Sequence, residues 1–283
     1  MTLQAHAKIN VGLHILGKRE DGYHDLETVF HEISLSDEIS IELSESLHLV
    51  TDTPALSAPE ENLCLKAARL LQAETAVHKG ATIVLKKRIP IGAGLGGGSS
   101  DAATVLVGLN TLWDLRLSNS LLCTYASRLG SDVPFFIRGG SAFARGRGEV
   151  LDHFRLEIPF WIVVVTPPIH VSTAWAYKNI KTFHRGASSD LKDLVLRALR
   201  EPAALQSKIR NDFEPLVFEH FPEIQSSREK LLDTGALFAL LSGSGSSLFA
   251  FFKEETRARS AASLFSTPYS VFLTSPNYSV HNE

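Results

Sequence analysis

The chain has 283 residues, of which 44% are hydrophobic and 21% are charged, and its formal net charge is −3. These values are typical of a globular protein with one large or two ordinary domains, and the acidic balance argues against a sequence-independent nucleic-acid binder. Cys64 and Cys123 lie in apolar helical patterns, which supports neither a disulfide framework nor a zinc site. Because the N-terminus lacks the pattern of a signal peptide and no stretch reaches span length, we expect a cytoplasmic protein with no membrane partner.

The first half of the chain is predicted to mix strands and helices. Strict alternation over residues 3–15 predicts a strand that places Lys8 and Asn10 side by side on its polar face. A hairpin loop is expected at 17–22, and Ser118 and Gly130 are expected to begin and end a helix. The other expected elements are strands near 24–34 and 38–44, a helix over 60–74, a strand over 81–88, helices over 100–113 and 119–129, and a hairpin at 141–150.

The second half is predicted to be more helical, with a domain boundary near 152–160. It begins with an apolar strand over 160–165, which Pro167 and Pro168 break. The expected helices cover 172–181, 189–199, 202–209 and 222–234. Strands near 236–241 and 247–252 flank Ser242–Ser247, which we call the serine turn; a tight connection between strands would by itself explain the glycines of this turn.

Residues Pro90–Ser100, which we call the glycine loop, contain five glycines in nine residues and end in two serines. Glycine has no Cβ, so such a loop can turn its backbone N–H groups toward a bulky anion. A helix starting at Ser99–Ser100 would add its unpaired N–H groups and the positive end of its dipole. The pattern predicts a cradle for nucleotide phosphate, and a flexible surface turn is the alternative.

The glycine loop also contains a Gly-x-Gly-x-x-Gly match at Gly92, Gly94 and Gly97, which in another context indicates a dinucleotide-binding oxidoreductase. The context here argues against that reading, because a helix instead of a second apolar strand is expected to follow the helix over 100–113. The strand before the loop also carries Lys86 and Lys87, unlike the central strand of a parallel sheet.

Three segments in order, Ala7–Asn10, Pro90–Asp101 and Leu241–Ser247, resemble the GHMP superfamily of small-molecule kinases. The resemblance runs from about residue 5 to about residue 250. It implies an α+β GHMP kinase fold of two domains, with an N-terminal half like domain 2 of ribosomal protein S5 and an active site in the interdomain cleft. The expected domains are residues 1–155, which bind ATP and carry catalysis, and residues 156–283.

Three further segments, Asp21–His24, Gly130–Phe136 and Asn211–Glu214, resemble one branch of that superfamily. That branch uses ATP to phosphorylate the 2-hydroxyl of 4-diphosphocytidyl-2-C-methyl-D-erythritol in the non-mevalonate isoprenoid route. Three alternatives remain open at this point. They are a kinase for another alcohol such as homoserine or mevalonate, an NAD-binding oxidoreductase, and an RNA-binding module that uses the S5-like half.

The resemblance implies a catalytic pair. Asp132 corresponds to the carboxylate that accepts the proton of the substrate hydroxyl, and Lys8 to the partner that keeps this carboxylate ionised. Taken without the family, Asp132 is equally suited to cap the turn that follows it. The pair implies direct in-line transfer without a phosphoenzyme.

The resemblance also places the glycine loop around the phosphates of ATP. Mg²⁺ is expected to arrive with ATP, and no metal ligand of the protein is identified. Ser99 and Ser100 are suited either to phosphate or metal contact or to helix capping. The implied ATP-binding residues are Pro90, Ile91, Gly92, Ala93, Gly94, Leu95, Gly96, Gly97, Gly98, Ser99 and Ser100.

For the acceptor, the resemblance implies a small-molecule partner with a cytidyl diphosphate group. Tyr23 and His24 correspond to a pair that recognises cytidine, and Tyr177 to a second aromatic residue that sandwiches the base. Thr173 corresponds to a residue lining this pocket, and Asn10 is expected to bind the erythritol chain or a phosphate. No nucleic acid is expected as a partner, and a homodimer is an open option.

Overall fold

The first strand, β1, spans Thr2–Lys18, as the alternation over residues 3–15 predicted. Its apolar face is buried from Ala5 to Ile15. The opposite face is buried in the middle of the strand, where Lys8 is 4% exposed and Asn10 is 2% exposed. Because lysine is rarely so buried without a partner or a function, this part of β1 is a candidate site.

The second strand, β2, spans His24–Ser44 and pairs with β1. The expectation of two separate strands near 24–34 and 38–44 is therefore wrong. The intervening polar residues stay in the strand because the Asp37 carboxylate accepts hydrogen bonds from the backbone N–H groups of Arg88 and Ile89.

The structure, a computed structural model, describes residues 1–56, 62–181 and 191–279. The chain forms two compact units whose sequences interleave. The first unit contains Met1–Ala7, Leu35–Ile91 and Gly96–Gly139; the second contains Lys8–Ser34, Gly92–Leu95 and Gly140–Glu283. The expected domains follow sequence order alone, so the boundary at residue 155 stays a prediction.

In the first unit, helices pack with strands around a common apolar core. Strand β3 (Leu47–Thr51) pairs in parallel with β4 (Gly80–Lys86), and β4 pairs antiparallel with the C-terminal part of β2. Ser118 accepts a hydrogen bond from the Leu121 N–H and caps α3, as predicted. The helices are α1 (Leu63–Thr75), α2 (Gly97–Leu112), α3 (Asn119–Ala126) and α4 (Val133–Arg138).

In the second unit, β5 (Ser141–Arg145) pairs antiparallel with the N-terminal part of β2 and with β6 (Val150–His153), which confirms the predicted hairpin. A separate antiparallel sheet contains β7 (Trp161–Thr166), β8 (Phe238–Leu241), β9 (Leu248–Phe252) and β10 (Ser270–Thr274). Its strand order is β10, β7, β9, β8. The helices are α5 (Thr173–Asn179), α6 (Leu191–Arg200), α7 (Pro202–Lys208), α8 (Glu214–His220), α9 (Pro222–Asp233) and α10 (Glu255–Ser263).

Both units mix helix and sheet, which confirms the α+β class. The sequence did not predict β3, α4, α8, α10 and β10, because elements this short show little periodicity. The helices expected over 60–74 and 189–199 correspond to α1 and α6, and residues 60, 61, 189 and 190 lie outside the described residues. Within the described ranges, no helix is both long and apolar enough to cross a membrane.

Candidate active site

Residues Gly92–Leu95 of the glycine loop belong to the second unit, where they lie against the serine turn. Ser242 Oγ donates to Gly94 O at 2.9 Å, and the Ser247 N–H donates to Ala93 O at 3.1 Å. Gly94 has φ +79°, and a Cβ at this position would lie 2.1 Å from Ser242 O. Both the backbone conformation and the close contact therefore require glycine at position 94.

The last part of the glycine loop is already helical. Helix α2 begins at Gly97 after Gly96, whose φ is +72°, so the expectation of a helix that starts at Ser99–Ser100 is wrong by two residues. Ser99 and Ser100 lie in the first turn of α2, and no side chain caps this helix. Helix capping is therefore not the role of either serine hydroxyl. The N–H groups of a first turn lack intrahelical acceptors and carry the positive end of the dipole, an arrangement suited to an anion.

Lys8 and Asn10 belong to a buried polar network of the second unit. Lys8 Nζ donates to Asn10 Oδ1 at 2.6 Å and lies 4.8 Å from the centroid of the Phe30 ring. Asn10 Nδ2 donates to Thr28 Oγ1 at 2.8 Å, and this hydroxyl donates to Gly12 O at 2.6 Å. The chain of bonds fixes the amide so that its oxygen faces the ammonium.

The same network reaches the glycine loop and the serine turn. The Lys8 N–H donates to Leu95 O at 3.0 Å, and the Asn10 N–H donates to Ser242 Oγ at 3.3 Å. The structure thus brings together, in the second unit, β1 at Lys8 and Asn10, residues Gly92–Leu95 of the glycine loop, and the serine turn. These are the segments on which the family resemblance rests.

Thr173 lies at the start of α5, and its hydroxyl is 2.9 Å from Ser244 Oγ. The serine turn is held from another side by Asn211, whose amide nitrogen donates to Leu241 O and to Gly243 O at 2.8 Å each. The turn is therefore fixed by side chains from distant parts of the second unit. A tight connection between two strands would not by itself require these side-chain hydrogen bonds to the turn.

Two residues predicted to bind cytidine lie together. The ring centroids of His24 and Tyr177 are 5.2 Å apart with an interplanar angle of 30°, and Tyr177 packs edge-on against Phe213 at 5.0 Å. Burial lowers the pKa of His24, and the charge of Lys18 lowers it further. A neutral imidazole can donate one hydrogen bond and accept another, which is what reading the edge of a base requires.

Tyr23, the third residue predicted for cytidine, is more exposed. Its side chain is 55% exposed, and the Arg147 guanidinium lies over its ring with Cζ 4.7 Å from the centroid. Arg147 lies in the turn between β5 and β6, and the sequence analysis did not identify it. The only sequence signal for it is a basic residue between two turn glycines, which is too common to single it out.

Asp132, the predicted base, is partly exposed and belongs to the first unit, as do Ser99 and Ser100. It occupies the N-cap position of α4, with φ −84° and ψ −17°, and its side chain makes no cap hydrogen bond. The alternative in which this carboxylate caps the next turn is therefore wrong, because its backbone is helical and does not take the extended form usual at an N-cap.

A buried ionic cluster that the sequence analysis missed lies next to the glycine loop in the first unit. Lys87 Nζ contacts Asp37 Oδ2 and lies 2.8 Å from Asp101 Oδ2. Burial raises the pKa of Asp101 to about 7, although the Lys87 charge opposes the rise. The sequence showed Lys87 only as a polar residue at the end of a strand, since nothing in a linear pattern pairs it with Asp37, 50 residues away.

Thr28 and Ser242 are further site residues that the sequence did not indicate. Both are buried hydroxyl residues whose role depends on long-range partners. Across the described parts of the chain, no group of three or more His, Cys, Asp or Glu side chains is arranged to hold a metal ion.

Comparison with known proteins identifies the family. The N-terminal domain of the GHMP kinases matches residues 62–140, and the C-terminal domain of the GHMP kinases matches residues 190–270. A 4-diphosphocytidyl-2-C-methyl-D-erythritol kinase of Chlorobium phaeobacteroides (strain BS1) is 45% identical over 282 residues, covering 99% of each chain. A crystal structure of 4-(cytidine 5′-diphospho)-2C-methyl-D-erythritol kinase, 35% identical, matches with a TM-score of 0.84 and covers 99% of this chain and 100% of that chain.

A homoserine kinase from Cytophaga hutchinsonii shares the fold alone, with a TM-score of 0.72 at 18% identity over 98% of this chain and 95% of that chain. The class is thereby fixed as a phosphotransferase with the GHMP kinase fold, as the motifs predicted. The chain belongs to the GHMP kinases and, within that superfamily, to the family of 4-diphosphocytidyl-2-C-methyl-D-erythritol kinases.

Proposed function

We propose that this kinase transfers the γ-phosphoryl group of ATP to the 2-hydroxyl of 4-diphosphocytidyl-2-C-methyl-D-erythritol, giving the 2-phosphate and ADP. The reaction belongs to the non-mevalonate isoprenoid route. The observation that carries the proposal is the 45% identity, over 99% of both chains, to a relative of that name. The packing of the glycine loop on the serine turn supports it, because phosphate binding needs a backbone of fixed shape.

ATP is proposed to bind along the glycine loop, Pro90–Ser100. Its phosphates would meet the first-turn N–H groups of α2 and the hydroxyls of Ser99 and Ser100. Phosphoryl transfer depends mainly on positioning and charge stabilisation, so a loop held from several sides is what the reaction requires. We treat Mg²⁺ as part of the MgATP substrate and assign it no protein ligand.

In the chemical step, the acceptor oxygen attacks the γ-phosphorus, and the bond from that phosphorus to the β,γ-bridging oxygen of ADP breaks. We assign Asp132 as the general base that takes the proton of the acceptor hydroxyl. Lys8 is assigned as the cation that stabilises the negative charge developing on the transferred group. The bonds that fix Asn10 support the assignment of Lys8, because they hold its ammonium in one place.

The acceptor is assigned to Tyr23, His24 and Tyr177 through its cytosine, and to Asn10 and Thr173 through its polyol or phosphates. The 5.2 Å approach of the His24 and Tyr177 rings supports a site for a planar base. Homoserine and mevalonate have no base to stack, so these aromatic residues would give them no affinity.

We also propose the binding partners of this enzyme and the cell compartment in which it acts. The acceptor is a small molecule, with no nucleic acid or membrane as a partner, and the enzyme acts in the cytoplasm. The acidic net charge of −3 supports the exclusion of nucleic acid. A homodimer is an open option that gel filtration with light scattering would decide.

The test of the acceptor is ADP release by purified protein with MgATP and one of three alcohols: the cytidylated methylerythritol, mevalonate or homoserine. We expect turnover with the cytidylated acceptor alone, and a single new phosphate monoester in the ³¹P spectrum of the product. Turnover with mevalonate or homoserine instead would contradict the acceptor assignment while keeping the kinase.

A further inference from the structure

The hairpin between β1 and β2 fixes the backbone of Tyr23 and leaves its ring outside. The Tyr23 N–H donates to Asp21 Oδ1 at 3.1 Å, and Tyr23 O accepts from the Arg19 N–H at 2.8 Å. The side chain is nevertheless 55% exposed. An exposed aromatic ring on a backbone fixed by hydrogen bonds offers a flat apolar face on which a planar ligand can stack.

The Arg147 guanidinium covers one side of this ring, with Cζ 4.7 Å from the centroid. Glu149 contacts the arginine at two points. The backbone N–H of Arg147 donates to Glu149 Oε2 at 2.7 Å, and the side-chain atom Arg147 Nε lies 3.8 Å from Glu149 Oε1. The guanidinium therefore faces both a carboxylate and an aromatic ring before any ligand arrives. A guanidinium stacks on an aromatic face in a way that lysine cannot reproduce.

We propose that Arg147 is a positioning residue for the acceptor, stacking on one face of Tyr23 and so presenting the opposite face to the cytosine ring. The inference rests on the proposed function, because it takes cytidine as the ligand of Tyr23. The base would form the third layer of a stack of guanidinium, phenol and pyrimidine. A ring already held by Arg147 loses less conformational freedom when the base binds, which increases affinity.

Direct binding of the acceptor's diphosphate by Arg147 is the main competing role for a cation at this place. The position of the guanidinium over the ring and its carboxylate partner Glu149 favour the stacking role. The two roles differ in a measurable way. A residue that acts through the base affects cytidine and cytidine 5′-diphosphate alike, whereas a phosphate ligand affects only the diphosphate.

The experiment compares wild type, Arg147→Ala, Arg147→Lys, Tyr23→Ala and the double variant by calorimetric titration with cytidine and with cytidine 5′-diphosphate. The KM of the full acceptor and kcat are measured in parallel. Arg155→Ala is the matched control, because it removes an arginine that is 87% exposed and paired with Glu157. The control tests whether loss of one positive charge is sufficient to weaken binding.

We expect Arg147→Ala to raise the acceptor KM and the Kd of both probes about fivefold, the size of one exposed cation–π contact. We expect kcat to change less than twofold, Arg147→Lys to recover part of the loss, and Arg155→Ala to match wild type. In the Tyr23→Ala background, removal of Arg147 should cost nothing further, since the arginine acts through the ring.

Four results would overturn the inference. Unchanged binding in Arg147→Ala, or an equal loss in Arg155→Ala, would remove the role of Arg147 while wild-type turnover keeps the proposed function intact. A loss confined to the diphosphate probe, and additive with Tyr23→Ala, would assign Arg147 to phosphate. Absence of wild-type turnover together with absence of cytidine binding would overturn the proposed function and the inference with it.

Discussion

Lys87 and Asp101 lie at opposite ends of the glycine loop and form a buried ion pair, with Lys87 Nζ 2.8 Å from Asp101 Oδ2. The pair closes the loop at its base, and Asp37 supplies a second carboxylate to the same ammonium. A Cβ at Gly97 would lie 2.9 Å from Ile89 Cγ2 and 3.2 Å from Lys87 Nζ, so glycine at this position lets α2 begin close to the ion pair. The glycine loop is therefore anchored by charge as well as shaped by glycine.

Replacing Lys87 with methionine should strongly destabilise the protein. The change leaves two buried carboxylates without their cation, at a cost of about 3–5 kcal/mol. Lys86→Met is the matched control, because the Lys86 side chain is 58% exposed and pairs with Glu38 at the surface. The expected loss for this variant is below about 1 kcal/mol. Urea unfolding of both variants is the measurement, and equal losses in the two would show that the buried cluster has no special role.

Replacing Gly94 with alanine should disrupt the proposed ATP site. The new Cβ would meet Ser242 O at 2.1 Å and the residue would be strained at φ +79°, which together cost roughly 3 kcal/mol or more. Affinity for a non-hydrolysable ATP analogue should fall at least tenfold. Gly140→Ala has a similar φ of +75° but no atom within 4 Å, so it isolates the backbone strain. Analogue affinity that falls equally in both variants would contradict the role of close packing.

The Glu32 carboxyl should make stability depend on pH. Burial raises its pKa to about 7 from the usual 4.5, although a hydrogen bond from the Gly140 N–H opposes this. The folded state therefore binds more protons than the unfolded state between these values, so this contribution to stability is present below pH 4.5 and is lost as the pH rises through about 7.

Glu32→Gln tests this dependence, because it keeps an acceptor for the Gly140 N–H and removes the charge. The free energy of unfolding of the variant relative to wild type should increase between pH 4.5 and 7, by on the order of 3 kcal/mol at most. Glu38→Gln is the control. Glu38 pairs with Lys86 at the surface, and this pairing lowers the pKa of Glu38 instead of raising it. A difference between Glu32→Gln and wild type that does not change with pH would refute the assignment.

Two adjacent serines of the serine turn should respond differently to replacement by alanine. The Ser246 hydroxyl is buried and has no hydrogen-bond partner among the described residues, whereas Ser247 Oγ lies 2.7 Å from Thr166 Oγ1. Ser246→Ala should leave the unfolding free energy within about 0.5 kcal/mol or raise it, and Ser247→Ala should lower it by about 1–2 kcal/mol. Thermal unfolding of both variants decides the matter, and a larger loss for Ser246→Ala would contradict the assigned bonding.

The sequence predicted the elements whose pattern is local. The alternation in β1 and the cap at Ser118 depend on neighbouring residues only, and both predictions are confirmed. The division of β2 into two strands was wrong because Asp37 is satisfied by backbone groups about 50 residues away. A polar residue inside a strand is indistinguishable from a break until its partners are known.

The candidate site shows the same limit. The glycine loop, Lys8 and Asn10 could be singled out by motif, and the family they indicated is confirmed. Asp37 and Thr28 could not be found, because each acts through contacts that only the folded chain creates. The start of α2 was placed two residues late, since glycine suggests a loop even where it begins a helix.

The most direct test of the assigned base is kcat with MgATP and 4-diphosphocytidyl-2-C-methyl-D-erythritol for wild type, Asp132→Asn and a control variant, with the Kd of a non-hydrolysable ATP analogue measured for all three proteins. Asp114→Asn, an exposed aspartate paired with Arg116, controls for the loss of a carboxylate. We expect wild-type turnover, a fall in kcat of about 10²- to 10⁴-fold in Asp132→Asn alone, and an unchanged analogue Kd in all three proteins. Undiminished turnover by Asp132→Asn would contradict the assignment of the base.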